Sequence, residues 1–421
     1  MSVTVPQPSL NAVHAKIAGK AISSSAFVSI VQDINDGLYS GPQIASFLTA
    51  SAAHPLSRRE IFDLTKAMIR VGPCLTWEDG VTVDKHCVGG LPGNRTTPII
   101  VAILSALGIR IAKTSSRAIT SAVGTADVME VLAPVHLTID RMKDVVSQTG
   151  GCVIWGGAVG LSPVDDELVR IAREIGVDAE GQLVSSILSK KLAAGSTHVL
   201  IDIPVGPTAK IKTQAEACKL KQTFLITAKA LKISCDVEIT DGSQPIGTGI
   251  GPALEARDII AVLQNLDTAP PDLRDKAVYL AGKAMELAGL AAKDAGKGKA
   301  LACLSSGQAW ESFKRICAAQ GGMRDIPKAR YCHTMVATHS GIVESMDNKY
   351  IAKLARIAGA PDDKTAGVDL HMSVGSAVDL GQALLTIHSS SRVGLKNAIE
   401  EASKRLAIRI LDPLRLEGDC I

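Results

Sequence analysis

The residues best suited to chemistry in this sequence stand in a glycine-rich segment, Lys85-His86-Cys87-Val88-Gly89-Gly90. A β-like run at Val81–Val83 precedes it, and a buried-helix pattern, Thr96–Leu107, follows it. Glycines let backbone N–H groups approach an anion, and a helix N-terminus adds partial positive charge. A structural turn would explain the glycines alone, but the Lys85 ammonium and the threonines at the helix start favour a phosphate cradle.

Two further side chains in this segment are open to more than one interpretation. His86 is a candidate ligand or base, but it can equally hydrogen-bond its own backbone or a substrate oxygen. Cys87 is a poor candidate nucleophile, because neither a second histidine nor a carboxylate that could act as its base stands near it in the sequence.

A second polar segment, Thr114–Ser121, follows a strand-like run at Ile109–Ile111 and precedes a predicted helix over Thr125–Leu132. Its hydroxyls and Arg117 suit phosphate or sugar oxygens, whereas Thr125 alone could be a helix cap. Two such loops after successive strands open on the same edge of a sheet, where α/β proteins bind ligands. Together the loops predict one binding site for a phosphorylated or sugar-containing substrate.

A third set of residues combines a carboxyl group, Asp178, with Ser186, Lys190 and Lys210. A carboxyl in an apolar cleft can hold a proton near neutral pH, which a leaving nucleobase needs. Taken alone, these residues are typical of solvated helix charges. Asp165-Asp166 resembles a metal pair, but its position at the start of a helix favours N-terminal capping, so no metal site is predicted.

The elements that must position these residues form an α/β protein with several domains. Helical spacing predicts a small all-helical domain over 1–72, completed by about 160–193. A larger central α/β domain, which binds phosphate, is expected over 73–159 and 194–328, with strands at Val199–Ile203 and Val237–Thr240. A strand-rich C-terminal α/β lobe is expected over 329–421.

Two glycine- and alanine-rich stretches are predicted to lack the regular structure of the elements around them. Gly150–Gly157 is predicted to be flexible and apolar, and Ala291–Lys299 is predicted to be an exposed linker.

Composition and charge narrow the possible partners. The formal net charge is only +3, and the chain has just 3 Trp, 4 Tyr and 5 Phe, so a nucleic-acid polymer is not expected. The 9 cysteines are scattered without zinc spacing, which is typical of a reducing compartment. The N-terminal residues lack a signal-peptide pattern, and the longest apolar run is too short to span a bilayer. A cytoplasmic location without membrane contact is expected.

In this order, the motifs resemble the thymidine and pyrimidine nucleoside phosphorylase family. The similarity is greatest to the branch of the bacterial putative thymidine phosphorylases and archaeal AMP phosphorylases, and it covers nearly the whole chain. The residues that carry it are Lys85–Gly90 with Pro92-Gly93-Asn94, Lys113–Ser121, Gly124-Thr125-Ala126-Asp127, Ser186–Lys191 and Gly251–Glu255. Many relatives have serine where this chain has Cys87. The cysteine thiol is the weaker hydrogen-bonding group.

The resemblance implies roles for individual positions. Lys85, Ser115 and Thr125 match phosphate or sugar-oxygen contacts, Asp178 matches the proton donor, and Lys190 matches a lysine that holds the base. The remaining positions match nucleotide contacts: Gly90, Ser116, Arg117, Ala118, Ile119, Thr120, Ser121, Ser186 and Lys210. The family also implies a homodimer that forms through the helical domain, and substrate bound between the helical and α/β domains.

The expected reaction is an attack by inorganic phosphate on C1′ of a nucleoside or nucleoside monophosphate, with phosphate as co-substrate and no other cofactor. The products are the free base and a pentose 1-phosphate, or ribose 1,5-bisphosphate if the substrate carries a 5′-phosphate, which Arg117 would recognise. Two alternatives remain: a Mg²⁺-dependent phosphoribosyltransferase of similar architecture, and a catalytically silent nucleotide-binding protein.

Overall fold

The computed structural model describes residues 7–78, 80–118 and 121–411. The chain forms two compact units, and each is built from separate stretches of sequence. The first unit consists of Met1–His86, Gly156–Ile201 and Cys218–Val237. The second consists of Cys87–Trp155, Asp202–Ala217 and Glu238–Ile421. The residues predicted to form a separate C-terminal lobe therefore fall within the second unit, and the predicted domain boundaries stay a prediction.

The elements up to the end of β3 begin with a run of helices and continue with alternating strands and helices. In chain order they are α1 (Gln7–Ile17), α2 (Ser24–Asn35), α3 (Gly41–Ala53), α4 (Arg58–Val71), β1 (Val83–Cys87), α5 (Thr96–Ala106), β2 (Ile111–Ser115), α6 (Thr125–Leu132), α7 (Ile139–Thr149) and β3 (Gly151–Trp155).

The middle of the chain adds further helices and three strands. In chain order these elements are α8 (Gly156–Val159), α9 (Pro163–Glu174), α10 (Glu180–Ala193), β4 (His198–Val205), α11 (Gln214–Ala230), β5 (Ser234–Asp241), β6 (Gly249–Ile250), α12 (Pro252–Leu263), α13 (Pro271–Leu287), α14 (Gly296–Ser305) and α15 (Gln308–Gln320).

Half of the described strands lie in the C-terminal part. Its elements are β7 (Tyr331–Val336), β8 (Gly341–Met346), α16 (Asn348–Ala358), β9 (Gly367–Leu370), β10 (Ala377–Val378), β11 (Ala383–Ser389), α17 (Arg392–Lys404) and β12 (Ile408–Leu411).

The helices of the first unit pack around an apolar core that includes Phe27, Phe47 and Leu64. Helix α4 begins with a capping box, in which Ser57 Oγ accepts from the Glu60 N–H and Glu60 Oε2 accepts from the Ser57 N–H. Helix α10 packs against α4, and α9 packs against α3 and α4. This helical bundle positions the residues of α10 that the sequence places in the site.

Four sheets are described. One three-stranded sheet has the order β1-β4-β5. Strands β2 and β3 pair in parallel, with Ile111 opposite Gly151 and Ser115 opposite Trp155. The remaining two sheets have the orders β6-β9-β11-β7 and β10-β8-β12, and their strands pair antiparallel.

The fold class predicted from the sequence, a helical domain with a larger α/β part, is confirmed, but three local predictions are wrong. Strands β1 and β2 run on to Cys87 and Ser115, beyond the predicted runs. The stretch Gly150–Gly157, predicted to be flexible, contains the buried strand β3. Gln320 holds that strand: its amide accepts from the Val153 N–H and donates to the Val153 carbonyl.

The predicted linker at Ala291–Lys299 is the third error, because α14 begins inside it at Gly296. The cause is a close contact between two helices. A Cβ on Gly282 of α13 would lie 2.4 Å from the Lys297 nitrogen, so the two backbones touch there, although most residues of the segment are exposed, as predicted.

Candidate active site

The glycine loop begins where β1 ends. Lys85 is fully buried within β1, His86 beside it is half-buried, and both belong to the first unit. Within the same unit, Lys191 Nζ of α10 lies 2.8 Å from the carboxylate of buried Asp84. This ion pair ties α10 to the strand that carries Lys85.

Two glycines of the loop have backbones that approach other parts of the second unit. Gly90 has φ +81°, and a Cβ there would lie 2.4 Å from the Lys210 nitrogen. Gly93 has φ +71°, and a Cβ there would lie 2.0 Å from the Ile246 carbonyl oxygen. Because any side chain would clash at both positions, only glycine fits. The structure therefore brings together two predicted site residues, Gly90 and Lys210.

Cys87 organises the start of this loop. Its Sγ accepts hydrogen bonds from the Gly89 N–H at 3.4 Å and from Asn94 Nδ2 at 3.3 Å. The thiol thus closes the loop on itself between Cys87 and Asn94.

Asp202 of β4 holds the same loop and was not predicted. Its backbone carbonyl accepts from the Val88 N–H at 2.9 Å. Its fully buried carboxylate accepts from Asn94 Nδ2 at 3.4 Å and from Thr240 Oγ1 at 2.6 Å. The signal in the sequence was an acidic residue inside the apolar run Val199–Ile203, which requires a buried polar network.

The second loop follows β2. Ser115 at the end of the strand is 8% exposed, and its buried Oγ has no hydrogen-bond partner among the described residues. Ser116 is exposed, Ser121 Oγ donates to the Val123 carbonyl at 2.6 Å, and half-buried Thr125 is the first residue of α6. The predicted contacts Ile119 and Thr120 lie outside the described residues.

Asp127 and Arg117 shape this loop. The Asp127 carboxylate accepts from the Ala118 N–H at 2.7 Å and from the Gly124 N–H at 2.9 Å. The Arg117 guanidinium lies 3.0 Å from Asp127 and 2.7 Å from Glu130, and it stacks over the Trp155 ring. Pairing with Glu130 and Asp127 raises the pKa of Arg117, and the pKa of Glu130 is lowered to about 2, chiefly by Arg117. Two carboxylates therefore already balance the Arg117 charge.

In the first unit, Ser186 and Lys190 lie one turn apart on α10, and Ser186 is buried. Lys190 Nζ forms an ion pair with Asp165 and lies 3.7 Å from Asp166, both in the first turn of α9. Burial opposes the charge of Lys190, but the two carboxylates outweigh it and raise its pKa.

Asp178 lies between α9 and α10 and is exposed. The apolar cleft that the sequence analysis considered for Asp178 therefore does not surround it in the structure. Its role as proton donor stays a prediction.

The predicted site residues thus fall into two groups. Those of the first unit are Lys85, His86, Asp178, Ser186 and Lys190. Those of the second unit within the described residues are Gly90, Ser115, Ser116, Arg117, Ala118, Ser121, Thr125 and Lys210.

A buried ion pair that lies next to the two loops was also not identified from the sequence. Arg95 Nε lies 2.5 Å from Glu255 Oε2, and the side chains are 9% and 2% exposed. Burial raises the pKa of Glu255 to about 7, and Arg95 opposes that shift. Glu255 belongs to one of the sequence motifs noted above, but no pattern near it in the sequence identifies Arg95 as its partner.

None of the helices within 7–78, 80–118 and 121–411 combines the length and hydropathy needed to cross a bilayer.

Three family models match successive parts of the chain. The model described as "Glycosyl transferase family, helical bundle domain" matches residues 10–72, and "Glycosyl transferase family, a/b domain" matches residues 79–310. The model "Pyrimidine nucleoside phosphorylase C-terminal domain" matches residues 342–409.

Several curated proteins with similar sequences share one name. A "Putative thymidine phosphorylase" of Legionella pneumophila (strain Paris) is 52% identical over 413 residues, which are 98% of this chain and 80% of that protein. A protein of the same name from Polaromonas sp. (strain JS666) is 49% identical over 400 residues, 95% of this chain and 78% of that protein.

A solved structure shares the fold at much lower sequence identity. The crystal structure of anthranilate phosphoribosyltransferase from Thermus thermophilus matches with a TM-score of 0.61 and 17% identity. The match covers 73% of this chain and 99% of that one.

Proposed function

Since the chain belongs to the pyrimidine nucleoside phosphorylase family and is a pentosyltransferase, we propose that it cleaves the N-glycosidic bond of a nucleoside with inorganic phosphate. The observation that carries the proposal is the packing of the glycine loop. The Lys210 backbone lies against Gly90, whereas the space beside Gly89 is free of other described residues. Gly89 has φ +97°, and among the described residues no heavy atom outside its immediate neighbours lies within 4 Å of where its Cβ would be. A phosphate oxygen can therefore approach the backbone there.

The proposed step transfers the pentose from the base to phosphate. A phosphate oxygen forms a bond to C1′ while the C1′–N bond breaks, and the bonding electrons leave with the base. Lys85 and the loop amides balance the phosphate charge, and the buried Ser115 hydroxyl donates to a phosphate or sugar oxygen. Asp178 protonates the departing base, and the products are free base and pentose 1-phosphate.

The contacts of Arg117 favour a nucleoside over its 5′-monophosphate. Asp127 and Glu130 both pair with the guanidinium, so a phosphate dianion placed there would meet two carboxylates as well as one cation. We therefore assign Arg117 to holding the second loop. The names of the curated relatives, which refer to thymidine, agree with a pyrimidine nucleoside as substrate.

The test is a phosphate-dependent base-release screen over thymidine, uridine, cytidine, adenosine and their 5′-monophosphates. We expect the highest kcat/KM with a pyrimidine nucleoside, and undiminished turnover in the presence of a metal chelator. If no base is released from any of these compounds, the proposal is wrong. Preference for a monophosphate would retain the reaction but overturn our assignment of Arg117.

Lys85→Met tests the phosphate site while it keeps the length of the buried side chain. We expect the KM for phosphate to rise at least tenfold, because the ammonium charge is lost, with a much smaller change in the KM for nucleoside. Initial rates at varied phosphate measure this, and an unchanged phosphate dependence would remove Lys85 from the site.

Asp178→Asn tests the proton donor. General acid catalysis contributes about 10²–10⁴-fold, so we expect a loss of kcat in that range with nucleoside binding retained. Single-turnover kinetics and calorimetric binding separate the two effects, and a near-normal kcat would exclude Asp178 as the acid.

Three other predictions from the sequence complete the proposal. The protein is expected to form a homodimer, to act in the cytoplasm, and to use no cofactor besides the phosphate co-substrate.

A further inference from the structure

One buried ion pair connects the two loops that carry most of the predicted contacts of the second unit. Arg95 directly follows the glycine loop, and Glu255 lies in the first turn of α12. The distance from Arg95 Nε to Glu255 Oε2 is 2.5 Å. Both residues are nearly inaccessible to solvent, since Arg95 is 8% and Glu255 is 2% exposed.

The guanidinium of Arg95 contacts both loops at once. One terminal nitrogen donates to the Asn94 carbonyl of the glycine loop at 3.4 Å. The other donates to the Val123 carbonyl of the second loop, which also accepts from Ser121 Oγ. A planar guanidinium has donors in several fixed directions, so one side chain can set the separation of two backbone segments.

Glu255 is itself held in place. Its Oε1 accepts from the Gly251 N–H at 3.2 Å. Gly251 has φ +147°, and a Cβ there would lie 2.3 Å from the Ala366 carbonyl oxygen, so its backbone packs tightly. Helix α12 also packs against α5 and α6, the helices that begin at the ends of the two loops.

We propose that Arg95 and Glu255 are positioning residues, which set the spacing between the phosphate-binding glycine loop and the second substrate loop without contacting substrate. This inference rests on the proposed function for its kinetic consequence. A buried ion pair adds little net stability compared with apolar residues of similar volume, so stability alone does not account for its presence. A methionine pair would fill the space but would not hold the Val123 carbonyl.

The main test compares the double variant Arg95→Met/Glu255→Met with the single variant Glu255→Gln. The double variant leaves no unpaired charge, so we expect its melting temperature to stay near that of the wild type. We expect its KM for phosphate to rise at least tenfold and its kcat to fall at least tenfold. A purely structural pair would instead leave both constants of this variant unchanged, and that result would overturn the proposal.

Hydrogen exchange provides a readout that needs no activity. The Gly124 N–H donates to Asp127 and the Ala126 N–H donates to the Ser116 carbonyl, so both amides report on the second loop. In Glu255→Gln and in the double variant we expect both to exchange at least tenfold faster. Exchange at the wild-type rate in a folded variant would contradict the proposed spacing role.

The matched control is Arg257→Met on the same helix. Arg257 pairs with Asp258 and Asp369, so its loss should lower the melting temperature while phosphate KM and loop exchange stay within twofold of the wild type. Base release by the wild-type protein tests the proposed function separately. If the wild type were inactive but loop exchange responded as expected, only the functional proposal would fail.

Discussion

At the scale of single residues, Cys87 organises the start of the glycine loop through its sulfur. Its Sγ accepts from Gly89 and Asn94 at distances typical of sulfur, 3.4 and 3.3 Å. A serine hydroxyl would accept more strongly and could also donate its own proton to a phosphate oxygen. The thiol therefore holds the start of the glycine loop less firmly than a serine hydroxyl would.

We predict that Cys87→Ser lowers the KM for phosphate about two- to fivefold, since one better hydrogen bond contributes about 0.5–1 kcal/mol. Cys87→Ala should raise it, because the Gly89 N–H and Asn94 amide lose their acceptor. Initial rates at varied phosphate measure both. Equal phosphate KM values in the three proteins would show that this position does not act on phosphate.

Residue types near one another in the chain could be identified from the sequence, but partners distant in it could not. Lys85, Gly90 and Ser115 stand in short motifs whose residue types indicate anion binding. In contrast, Asp202 meets Asn94 across 108 positions of sequence. Such pairs depend on how strands and helices pack, and no local pattern encodes that.

At the scale of elements, the strands that carry the loops extend further than their apolar residues suggested. Lys113 and Ser115 are polar, yet both are buried in β2 because that strand pairs in parallel with β3. The polar end of β1 is likewise in a strand, with Lys85 fully buried. Pairing with a neighbouring strand decides these boundaries, and hydropathy alone misplaces them.

We predict that Gly124→Ala opens the second loop and weakens nucleoside binding at least tenfold. Its φ is −94°, which any residue adopts, but a Cβ would lie 2.3 Å from the Arg117 carbonyl carbon. We expect a loss of about 1–3 kcal/mol in the free energy of unfolding from this overpacking.

Gly298→Ala in α14 is the control, because open space surrounds that position. Alanine there should stabilise the protein by about 0.5–1 kcal/mol and leave binding unchanged. Urea unfolding and calorimetric titration with nucleoside measure both variants. Nucleoside affinity retained in Gly124→Ala would show that the tight contact with Arg117 does not shape the site.

At the scale of the whole molecule, the sequence motifs correctly predicted the family and the fold class, because they recur in order along nearly the whole chain. The identity of the base was not predictable in the same way. The lysine that the resemblance matches to base binding, Lys190, pairs with Asp165 and Asp166 of another helix, and no local pattern in the sequence shows that pairing.

An ion pair connects α12 to strand β9 of the sheet β6-β9-β11-β7. The Asp369 carboxylate of β9 lies 2.7 Å from Arg257 and 3.2 Å from His388. Burial opposes its ionisation, but hydrogen bonds from His388 and Arg257 outweigh burial and lower the pKa of Asp369 to about 2. The ionised carboxylate therefore stabilises the folded state.

We predict that Asp369→Asn lowers the free energy of unfolding by about 2 kcal/mol near neutral pH, as the shift from the ordinary pKa implies. A lowered pKa contributes stability that is fully present above the unfolded value of 3.8 and is lost as pH falls towards about 2. Urea unfolding of both proteins should give a constant difference from pH 7 to about 4, narrowing below. A difference that persists at lower pH would contradict the assignment.

The interleaving of the two units has a consequence for synthesis of the protein on the ribosome. The first unit includes Cys218–Val237, which is translated after the stretches Cys87–Trp155 and Asp202–Ala217 of the second. The nascent chain cannot finish the first unit before much of the second has emerged. A translational pause before Val237 would leave the first unit without its last stretch. Chaperones would then bind a nascent chain in which both units are still incomplete.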